Sequence, residues 1–310
     1  MNLLFVGFYN TRSRRNNPAM PERSIPIDGP LDLRGTLAPL HGRFDDRGWW
    51  LAVRTSDGPA TLLVTRTREV LKGEAWGSGA DNLLERLGRI GGLEDDPSTF
   101  RPEDRKVKEL HRRHPGLRIG STGRVFDELV IAITGQKVTG AEASRAMNGL
   151  TMAFSDAAPG PNPSLRLPPD PTRISEAPYW QFHELHLEQK RAEALISAAR
   201  SAAEIDGLSE VSSTFASIRL HQIRGVGEWT VAETLVRSHG DADQVSVGDF
   251  HLKNLVVFHL TGRPRGTDEE MVELLDEFRP HRARVVRLLH TLGHAPKYGP
   301  RTKPRNITSM

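Results

Sequence analysis

The stretch HQIRGVGEWT, residues 221–230, determines how the rest of this 310-residue chain is interpreted. It lies between two segments, 213–221 and 228–239, whose apolar spacing predicts helices. Glycine inside a helix costs about 1 kcal/mol relative to alanine, so two glycines separated by one residue are unfavourable there. They suit a tight hairpin whose backbone must approach another group closely. The stretch therefore predicts two helices joined by a glycine hairpin.

The second helix of this pair begins just after Gly227. The first amide groups of a helix have no acceptor within the helix. Together with the positive end of the helix dipole they form a site for an anion such as a phosphate. A short helix–helix turn that uses Gly225 and Gly227 for its geometry alone is the alternative.

Asp249 is the candidate site carboxylate downstream of the hairpin. Asp249 stands twenty residues after Trp229, in the segment VSVGDF at 245–250. It follows an extended apolar stretch and precedes a predicted helix. Because aspartate accepts hydrogen bonds from the first amides of a helix, Asp249 also suits a plain N-cap.

The chain divides into segments of different composition, which predict an α+β fold. A small β-rich N-terminal domain has strands expected at 47–55, 60–64 and 66–76 and a helix at 81–90. The character of the sequence changes after residue 101, and from Ser121 onward the spacing is helical almost throughout. Thr122 is expected to cap one helix, and a loop is expected at 155–172, which holds six prolines. The expected segments are a flexible arm (1–33), an α+β domain (34–112), an all-α domain (113–295) and a basic tail (296–310).

Composition excludes several classes of protein. Cysteine is absent, which excludes disulfides, thiolate zinc sites, cysteine nucleophiles and iron–sulfur clusters. No apolar run approaches the roughly 20 residues of a membrane span, so we expect a soluble, cytoplasmic protein with no membrane partner. The net charge is +3, and residues 105–145 hold nine Lys and Arg against four acids. This balance permits nucleic-acid binding and equally suits a solvated face.

The segments IRGVGEWTVAE (223–233) and VGDFHLKN (247–254), at this spacing, resemble the helix–hairpin–helix DNA glycosylase superfamily. The resemblance is greatest to bacterial 3-methyladenine DNA glycosylases of type II. The stretches FDELVIAITGQKVT (126–139) and KRAEALI (190–196) and the β-rich N-terminal domain add to it. It covers most of residues 34–292 and is loose over the first hundred.

The resemblance implies removal of a damaged base from double-stranded DNA, with Asp249 at the excision centre. Breaking an N-glycosidic bond builds positive charge on the deoxyribose, which a nearby carboxylate stabilises while it orients or deprotonates water. The same resemblance places the hairpin on the DNA backbone. The expected DNA-binding residues are Gln136, Lys137, Arg224, Gly225, Val226, Gly227 and Thr230.

Trp229 distinguishes two subclasses of this superfamily. Bifunctional members carry a lysine two positions after the second hairpin glycine, and its amine forms a Schiff base with the sugar. Trp229 occupies that position here, which implies a monofunctional enzyme without strand cleavage. Its aromatic face suits a cationic alkylated purine held by a cation–π contact. Alternatively, Trp229 is a core residue that locks the two hairpin helices together.

Two expected pocket residues depart from the alkylpurine pattern. Glu233 stands where an aromatic residue is usual, and His290 is the approximate match to another aromatic position near the C-terminus. Glu233 could accept a hydrogen bond from the base, donate a proton or simply be an exposed helix residue. A pocket with Glu233 and His290 leaves room for a neutral oxidised or deaminated base.

The loop at Gln136-Lys137 enters the minor groove in this superfamily, and an apolar residue there fills the gap left by the flipped base. Lys137 matches that position, so Gln136 or another loop fills the gap, or Lys137 is an ordinary surface lysine. The superfamily also binds a monovalent cation through backbone carbonyls, which match His221, Ile223 and Val226. The sequence neither supports nor excludes that cation. No cofactor is expected to be required.

We therefore expect a monomeric, monofunctional DNA glycosylase that removes an alkylated purine from double-stranded DNA. One alternative is a glycosylase for another lesion, such as 8-oxoguanine. The other is a structure-specific DNA-binding protein that has lost catalysis. A helix-turn-helix transcription factor is disfavoured, because Glu228 and Glu233 would face the phosphate-lined groove.

Overall fold

The computed structural model describes residues 21–297. Residues 1–20 of the expected arm and 298–310 of the expected basic tail lie outside the described residues. Within 21–297 the protein has one five-stranded sheet and fifteen α-helices, which makes it an α+β protein as predicted. None of the described helices is long and apolar enough to cross a bilayer.

The sheet is antiparallel with the strand order β1-β5-β4-β3-β2. A two-residue turn at 56–57 joins its two central strands, because Thr55 pairs with Gly58. The predicted strands at 47–55, 60–64 and 66–76 correspond to β3, β4 and β5. The strands are β1 (Glu22–Pro26), β2 (Arg43–Phe44), β3 (Trp49–Thr55), β4 (Gly58–Thr67) and β5 (Val70–Trp76).

The prediction of a flexible arm at 1–33 is wrong for the residues of that segment that the structure describes. Residues 22–26 form strand β1, which pairs with β5 from Glu22↔Glu74 to Pro26↔Val70. Ile27 and Leu31 follow it into the core of the sheet. An edge strand pairs on one side only, so a polar, proline-containing segment can form one. Such a segment lacks the apolar alternation that predicts a strand from sequence.

The described helices fall into three groups. Those next to the sheet are α1 (Leu33–Leu37), α2 (Ala80–Glu85) and α3 (Leu87–Ile90). The central ones are α5 (Val125–Gly135), α6 (Gly140–Phe154), α7 (Pro171–Glu176), α8 (Tyr179–Glu184), α9 (Gln189–Arg200), α10 (Ala202–Gly207), α11 (Ser213–His221) and α12 (Glu228–Ser238). The third group is α4 (Arg105–Arg113), α13 (Leu252–Thr261), α14 (Asp268–Asp276) and α15 (Arg282–His290).

Each group has its own apolar core, and the third core changes the expected domain boundary. Phe100, Val107 and Leu110 pack with the side chains of α13, α14 and α15. Residues 100–112 therefore belong with the C-terminal helices. The expected boundary at 112 would instead place them with the sheet. A buried ion pair at 2.6 Å joins Asp95, which follows α3, to Arg284 on α15.

The proline-rich segment is a loop over 155–170, as predicted, and it lies against the sheet. A Cβ placed on Gly160 would come within 3.0 Å of the Trp76 ring, so the backbone touches the indole directly. Arg54 on β3 pairs with Asp156 at 3.2 Å and lies 3.7 Å from Asp170. The loop thus covers the face of the sheet that is turned away from α2 and α3.

The helix expected to follow Thr122 is present as α5, but its N-cap is Arg124. The Thr122 hydroxyl donates to the buried carboxylate of Glu128 at 3.1 Å. The first turn of α5 is satisfied instead by Asp206, which accepts from the Phe126 amide at 3.0 Å. A tertiary partner has replaced the local cap.

Candidate functional site

The glycine hairpin lies between α11 and α12 and is fixed by its middle residue. Val226 is buried in the central core, and its amide donates to the Ile223 carbonyl at 3.0 Å. Gly225 has φ +86, and a Cβ there would lie 2.9 Å from the Cβ of Ala194 on α9. This position therefore requires glycine for both its backbone conformation and its close packing.

Gly227 has a different environment. It is the N-cap of α12, and a Cβ placed on it would meet nothing within 4 Å. The first backbone bond of the helix runs from the Val231 amide to the Gly227 carbonyl at 3.0 Å. The amides before Val231 thus lie at an exposed helix N-terminus that an anion can approach closely. Arg224 is exposed at the turn and adds a positive charge.

Asp249 lies in the turn before α13 and is half-buried. Its Oδ1 accepts from the amides of His251 and Leu252 at 2.7 and 2.8 Å, so one oxygen binds the start of α13, whose N-cap residue is His251. Its Oδ2 accepts from the indole N–H of Trp229 at 3.2 Å. The carboxylate is therefore fixed beside the second helix of the hairpin, and its bonds to the start of α13 occupy only one of its oxygens.

Trp229 connects three elements of the site. A Cβ placed on Gly135, at the end of α5, would lie 3.2 Å from Cη2 of the indole. The ring thus packs against the backbone of α5 while its N–H contacts Asp249, and the side chain remains partly exposed. Trp229 holds the helices together and also presents an aromatic surface next to the carboxylate.

Glu233 lies one turn further along α12, and both of its oxygens have partners. Oε1 accepts from the Ser246 hydroxyl, and Oε2 pairs with Arg237 at 2.8 Å. Arg237 also donates to the Pro39 carbonyl at 3.1 Å. The carboxylate joins α12 to the segment that carries Asp249, and its side chain is 22% exposed.

His290, the last residue of α15, is exposed and lies close enough to Asp249 and Glu233 for their charges to act on its ring. Partial desolvation of its ring and the neighbouring His294 lower its pKa, whereas the charges of Asp249 and Glu233 act in the opposite direction. The lowered pKa favours the neutral imidazole at neutral pH. The structure therefore brings Trp229, Glu233, Asp249 and His290 into one region.

The turn after α5 contacts the hairpin. The Gln136 side-chain amide donates to the Gly225 carbonyl and to the Thr230 hydroxyl, each at 2.8 Å. Gln136 is thus held against the hairpin, while Lys137 beside it is exposed. The side chains of Val226 and Thr230 are buried, so only their backbone is available to a ligand.

The expected site for a monovalent cation consists of hairpin backbone carbonyls. The Ile223 carbonyl, one of the three assigned to a monovalent cation, already accepts one hydrogen bond from Val226. A carbonyl oxygen has a second lone pair, so this bond is compatible with a cation. Among residues 21–297 no group of three or more His, Asp or Glu side chains is arranged to hold a metal ion.

Sequence reasoning missed Ser246 and Arg237, the two partners of Glu233. It also missed a cavity of about 360 Å³ that is separate from Asp249 and lies between β3, α5 and the proline-rich loop. Asp127 and Glu128 line it, and burial raises the pKa of Asp127 to about 7. The one available signal was two adjacent acids within the apolar stretch of α5.

Comparison with known proteins is informative at the level of fold. No protein-family model matches the chain. A Bacillus subtilis (strain 168) protein, YfjP, whose name assigns it provisionally to the DNA-3-methyladenine glycosylases, is 26% identical over 117 residues. That match covers 36% of this chain and 41% of YfjP, less than half of the relative's length.

Solved structures match over most of the chain. A 3-methyladenine DNA glycosylase from Archaeoglobus fulgidus has a TM-score of 0.72 at 17% identity, covering 87% of this chain and 99% of that one. MBOgg1 with a low-affinity DNA ligand gives 0.65 at 17% identity, covering 86% and 93%. The Clostridium acetobutylicum 8-oxoguanine glycosylase/lyase with double-stranded DNA gives 0.62 at 13% identity, covering 84% and 90%. The resemblance to helix–hairpin–helix DNA glycosylases is thus confirmed as a shared fold.

Proposed function

We propose that this protein is a monofunctional DNA glycosylase of base excision repair. It hydrolyses the N-glycosidic bond of a damaged base, an alkylated purine, that has been flipped out of double-stranded DNA. The observation that carries the proposal is the hydrogen bond from Trp229 to Asp249. It places a fixed carboxylate beside the helix whose N-terminus forms the hairpin.

The hairpin supplies the DNA contact. The exposed amides at the start of α12 and the guanidinium of Arg224 bind phosphate, a contact that does not depend on base sequence. Flipping a nucleotide out of the duplex costs a few kcal/mol, and a damaged base costs least because it is already poorly paired. Binding of the backbone beside Gly227 offsets this cost and brings the sugar towards Asp249.

Asp249 performs the chemical step. Positive charge builds on the deoxyribose as the bond to the base breaks, and the carboxylate stabilises that charge. Because Oδ1 is bound to two amides, the group is oriented before the substrate arrives. Asp249 also orients or deprotonates the attacking water. An N-alkylated purine is already cationic and leaves as a neutral base, so no separate acid is required.

Trp229 accounts for the proposed lack of strand cleavage. A lyase needs an amine that attacks the sugar to form a Schiff base. The side chain at this position is an indole, and its N–H group is bonded to Asp249. The exposed part of its ring would hold a cationic base by a cation–π contact.

Removal of a neutral base such as 8-oxoguanine is a second candidate function. It is favoured by the polar wall that Glu233, Ser246 and Arg237 form next to Asp249. A neutral base has hydrogen-bonding edges that such groups can read, and it needs a proton on leaving. We take this polar wall to be mainly structural, because both oxygens of Glu233 already have partners within the protein.

The test is a set of duplexes that each carry one lesion: an N-alkylated purine, 8-oxoguanine or hypoxanthine. Release of the free base is followed under single-turnover conditions, with the alkylated purine expected to react fastest. Asp249→Asn should lower that rate by about 100-fold or more. Asp104→Asn is the matched control, because Asp104 caps α4 through the Val107 amide at 2.8 Å and lies outside the site.

Three outcomes would contradict parts of the proposal. Undiminished release by Asp249→Asn would exclude the mechanism. Faster release of 8-oxoguanine would favour the second candidate function. A covalent protein–DNA adduct after borohydride treatment would show a Schiff base and contradict the monofunctional assignment.

The proposed enzyme acts as a monomer and needs no cofactor, with one optional ion. A monovalent cation on the carbonyls of His221, Ile223 and Val226 would neutralise charge where the hairpin meets phosphate. DNA affinity should then differ between potassium and tetramethylammonium salts at equal ionic strength. Equal affinities in both salts would argue against the cation.

A further inference from the structure

The cavity between β3, α5 and the proline-rich loop lies away from the proposed reaction centre. Its volume of about 360 Å³ falls within the range of about 300–1,000 Å³ that is usual for ligand pockets. Asp127, in the first turn of α5, lines the cavity, whereas Gly135, at the other end of the helix, packs against Trp229. The helix between these two residues is about 12 Å long. A molecule in the cavity would therefore not occupy the site at which Asp249 acts.

Most of the wall of the cavity is apolar, and four elements contribute to it. Its side chains include Ala52 on β3, Ile131 on α5, Met147 on α6 and Leu165 in the proline-rich loop. All four are partly exposed, so they border an open space and do not fill a closed core. Such a wall favours a ligand whose body is apolar.

The two acids of α5 that line the cavity differ in their hydrogen bonds. Glu128 is 3% exposed, and its two oxygens accept from His41 at 2.7 Å and from the Thr122 hydroxyl at 3.1 Å. Asp127 is 14% exposed, and only its Oδ2 has a partner, the Arg124 guanidinium at 3.4 Å. Within residues 21–297 its Oδ1 accepts no hydrogen bond. The Oδ1 atom of Asp127 is therefore the acceptor that remains available to a ligand.

Negative charge is in excess around Asp127. The charges of Asp206, on α10, and of Glu128 both act on it. The cation that faces these acids is Arg124, which is shared because it also pairs with Asp206 at 2.5 Å. One guanidinium cannot balance three carboxylates, and a buried charge without a full countercharge is unfavourable.

The other basic groups that line the cavity are bound elsewhere. Arg43 and Arg166 donate to acceptors of the proline-rich loop at 3.3 and 2.6 Å. The imidazole of His41 is bonded to Glu128. Burial and the neighbouring acids accordingly raise the pKa of Asp127 to about 7, although Arg124 opposes this shift. A cation that entered the cavity would supply the missing countercharge.

We propose that this cavity binds a small organic cation, an amidine or a primary amine on an apolar body, with Asp127 as its counter-ion. The cationic group donates to Oδ1 of Asp127, and the apolar body contacts the walls. A neutral molecule would leave the excess charge uncompensated, and an anion would add to it. The inference does not depend on the proposed function, because Asp249 takes no part in it.

The test is calorimetric titration of the full chain with benzamidine. Benzyl alcohol and benzoate carry the same ring with a neutral and an anionic group. Benzamidine should bind with a dissociation constant of about 1 mM or below, and the other two should bind at least about tenfold more weakly. Asp127→Asn keeps the shape of the side chain and removes its charge, so it should weaken benzamidine binding by about tenfold or more.

Three control variants locate the binding site. Asp249→Asn should leave the affinity for benzamidine unchanged, which separates the cavity from the proposed reaction centre. Asp57→Asn, at an exposed turn, should also leave it unchanged. Ala52→Leu narrows the cavity without altering its charge and should weaken binding. Thermal unfolding of each variant establishes that it is folded.

The affinity should also depend on pH. A cation binds the ionised carboxylate, so at a pH below the pKa of Asp127 a proton must first leave. The affinity for benzamidine should therefore rise between about pH 5.5 and about pH 8 in the unaltered protein, and much less in Asp127→Asn.

Several results would overturn the inference. The first is unaltered benzamidine binding by Asp127→Asn, and the second is binding of benzyl alcohol as tightly as benzamidine. Loss of binding in Asp249→Asn would place the cation at the reaction centre instead. No detectable binding of benzamidine by the unaltered protein would exclude the site outright. Base release measured in parallel stays informative in each case, because it tests Asp249 alone.

Discussion

The indole N–H of Trp229 donates to Oδ2 of Asp249 at 3.2 Å, across the junction between two apolar cores. Trp229 belongs to α12 in the central core, whereas Asp249 precedes α13 in the C-terminal core. With two backbone amides on Oδ1, the carboxylate has three donors and a fixed orientation. The relative position of the two cores therefore sets the orientation of the Asp249 carboxylate.

Replacing Trp229 with phenylalanine tests this positioning. Trp229→Phe keeps an aromatic face and removes the donor to Oδ2. Because one hydrogen bond to a charged group is lost, we expect the single-turnover rate of base release to fall by about tenfold. Affinity for abasic-analogue DNA should change little, and the measurement is therefore the rate at saturating enzyme beside the dissociation constant.

Trp180→Phe is the matched control, since Trp180 lies on α8 and is 62% exposed. It should leave both the rate and the affinity unaltered. An unaltered rate in Trp229→Phe would show that the two amides alone position Asp249. A loss of affinity at constant rate would assign the side chain to binding.

The two hairpin glycines provide a matched pair of substitutions. Gly225→Ala introduces a Cβ 2.9 Å from Ala194 at a residue with φ +86, so we expect it to destabilise the protein by about 2 kcal/mol. Gly227→Ala introduces a Cβ into open space at an ordinary backbone conformation. It should leave the unfolding free energy within about 1 kcal/mol of the unaltered value.

Gly227→Ala should have the larger effect on DNA affinity, whereas Gly225→Ala should have the larger effect on stability. The Cβ of Gly227→Ala projects where a phosphate approaches the amides of α12, so affinity should fall by about tenfold. Urea unfolding and a DNA titration on both variants make the comparison. If Gly227→Ala bound DNA normally, the hairpin would not be the backbone contact.

Features encoded in short segments could be predicted from the sequence. The helix predicted at 213–221 has the same bounds in the structure. Its apolar periodicity and the glycines that follow it lie close together in the sequence, so local residues define both the helix and its end. The sequence predicts that Asp249 binds the start of a helix or serves as a site carboxylate, and in the structure its two oxygens have separate partners. These features depend on local backbone geometry and on spacing along the chain.

Features that depend on distant partners could not be predicted in this way. Glu233 is held by Ser246, thirteen residues away, only because the segment before Asp249 packs beside α12. Phe100 lies with the C-terminal core across more than a hundred residues of sequence. Strand β1 is recognisable only once β5 is present to pair with it. In each case a tertiary contact, which periodicity does not contain, decides the outcome.

Glu233→Gln distinguishes a structural glutamate from one that reads the base. The substitution removes the charge opposite Arg237, and because the pair is 22% exposed we expect a loss of about 1 kcal/mol in unfolding free energy. The ratio of release rates for alkylated purine and 8-oxoguanine should stay constant. Ser246→Ala is the control, since it removes the other partner of Glu233 and keeps the carboxylate. A ratio that shifts in Glu233→Gln but not in Ser246→Ala would assign base recognition to Glu233.

Asp127 makes stability depend on pH. Burial raises its pKa from 3.8 to about 7, the charges of Asp206 and Glu128 add to the effect, and Arg124 opposes it. A carboxyl whose pKa is higher in the folded state binds its proton more tightly there. Its contribution to stability is therefore present below about pH 4 and is lost as the pH rises towards about 7.

Asp127→Asn should remove this dependence, because the amide does not ionise. Relative to the unaltered protein, we expect the variant to gain on the order of 2 kcal/mol of unfolding free energy between about pH 5 and about pH 8. Urea unfolding at the two pH values measures the gain, and Asp46→Asn, at an exposed aspartate, should show none. An equal difference between variant and unaltered protein at both pH values would mean that Arg124 keeps Asp127 ionised throughout. Asp127 would then place a permanent negative charge in the wall of the cavity beside α5.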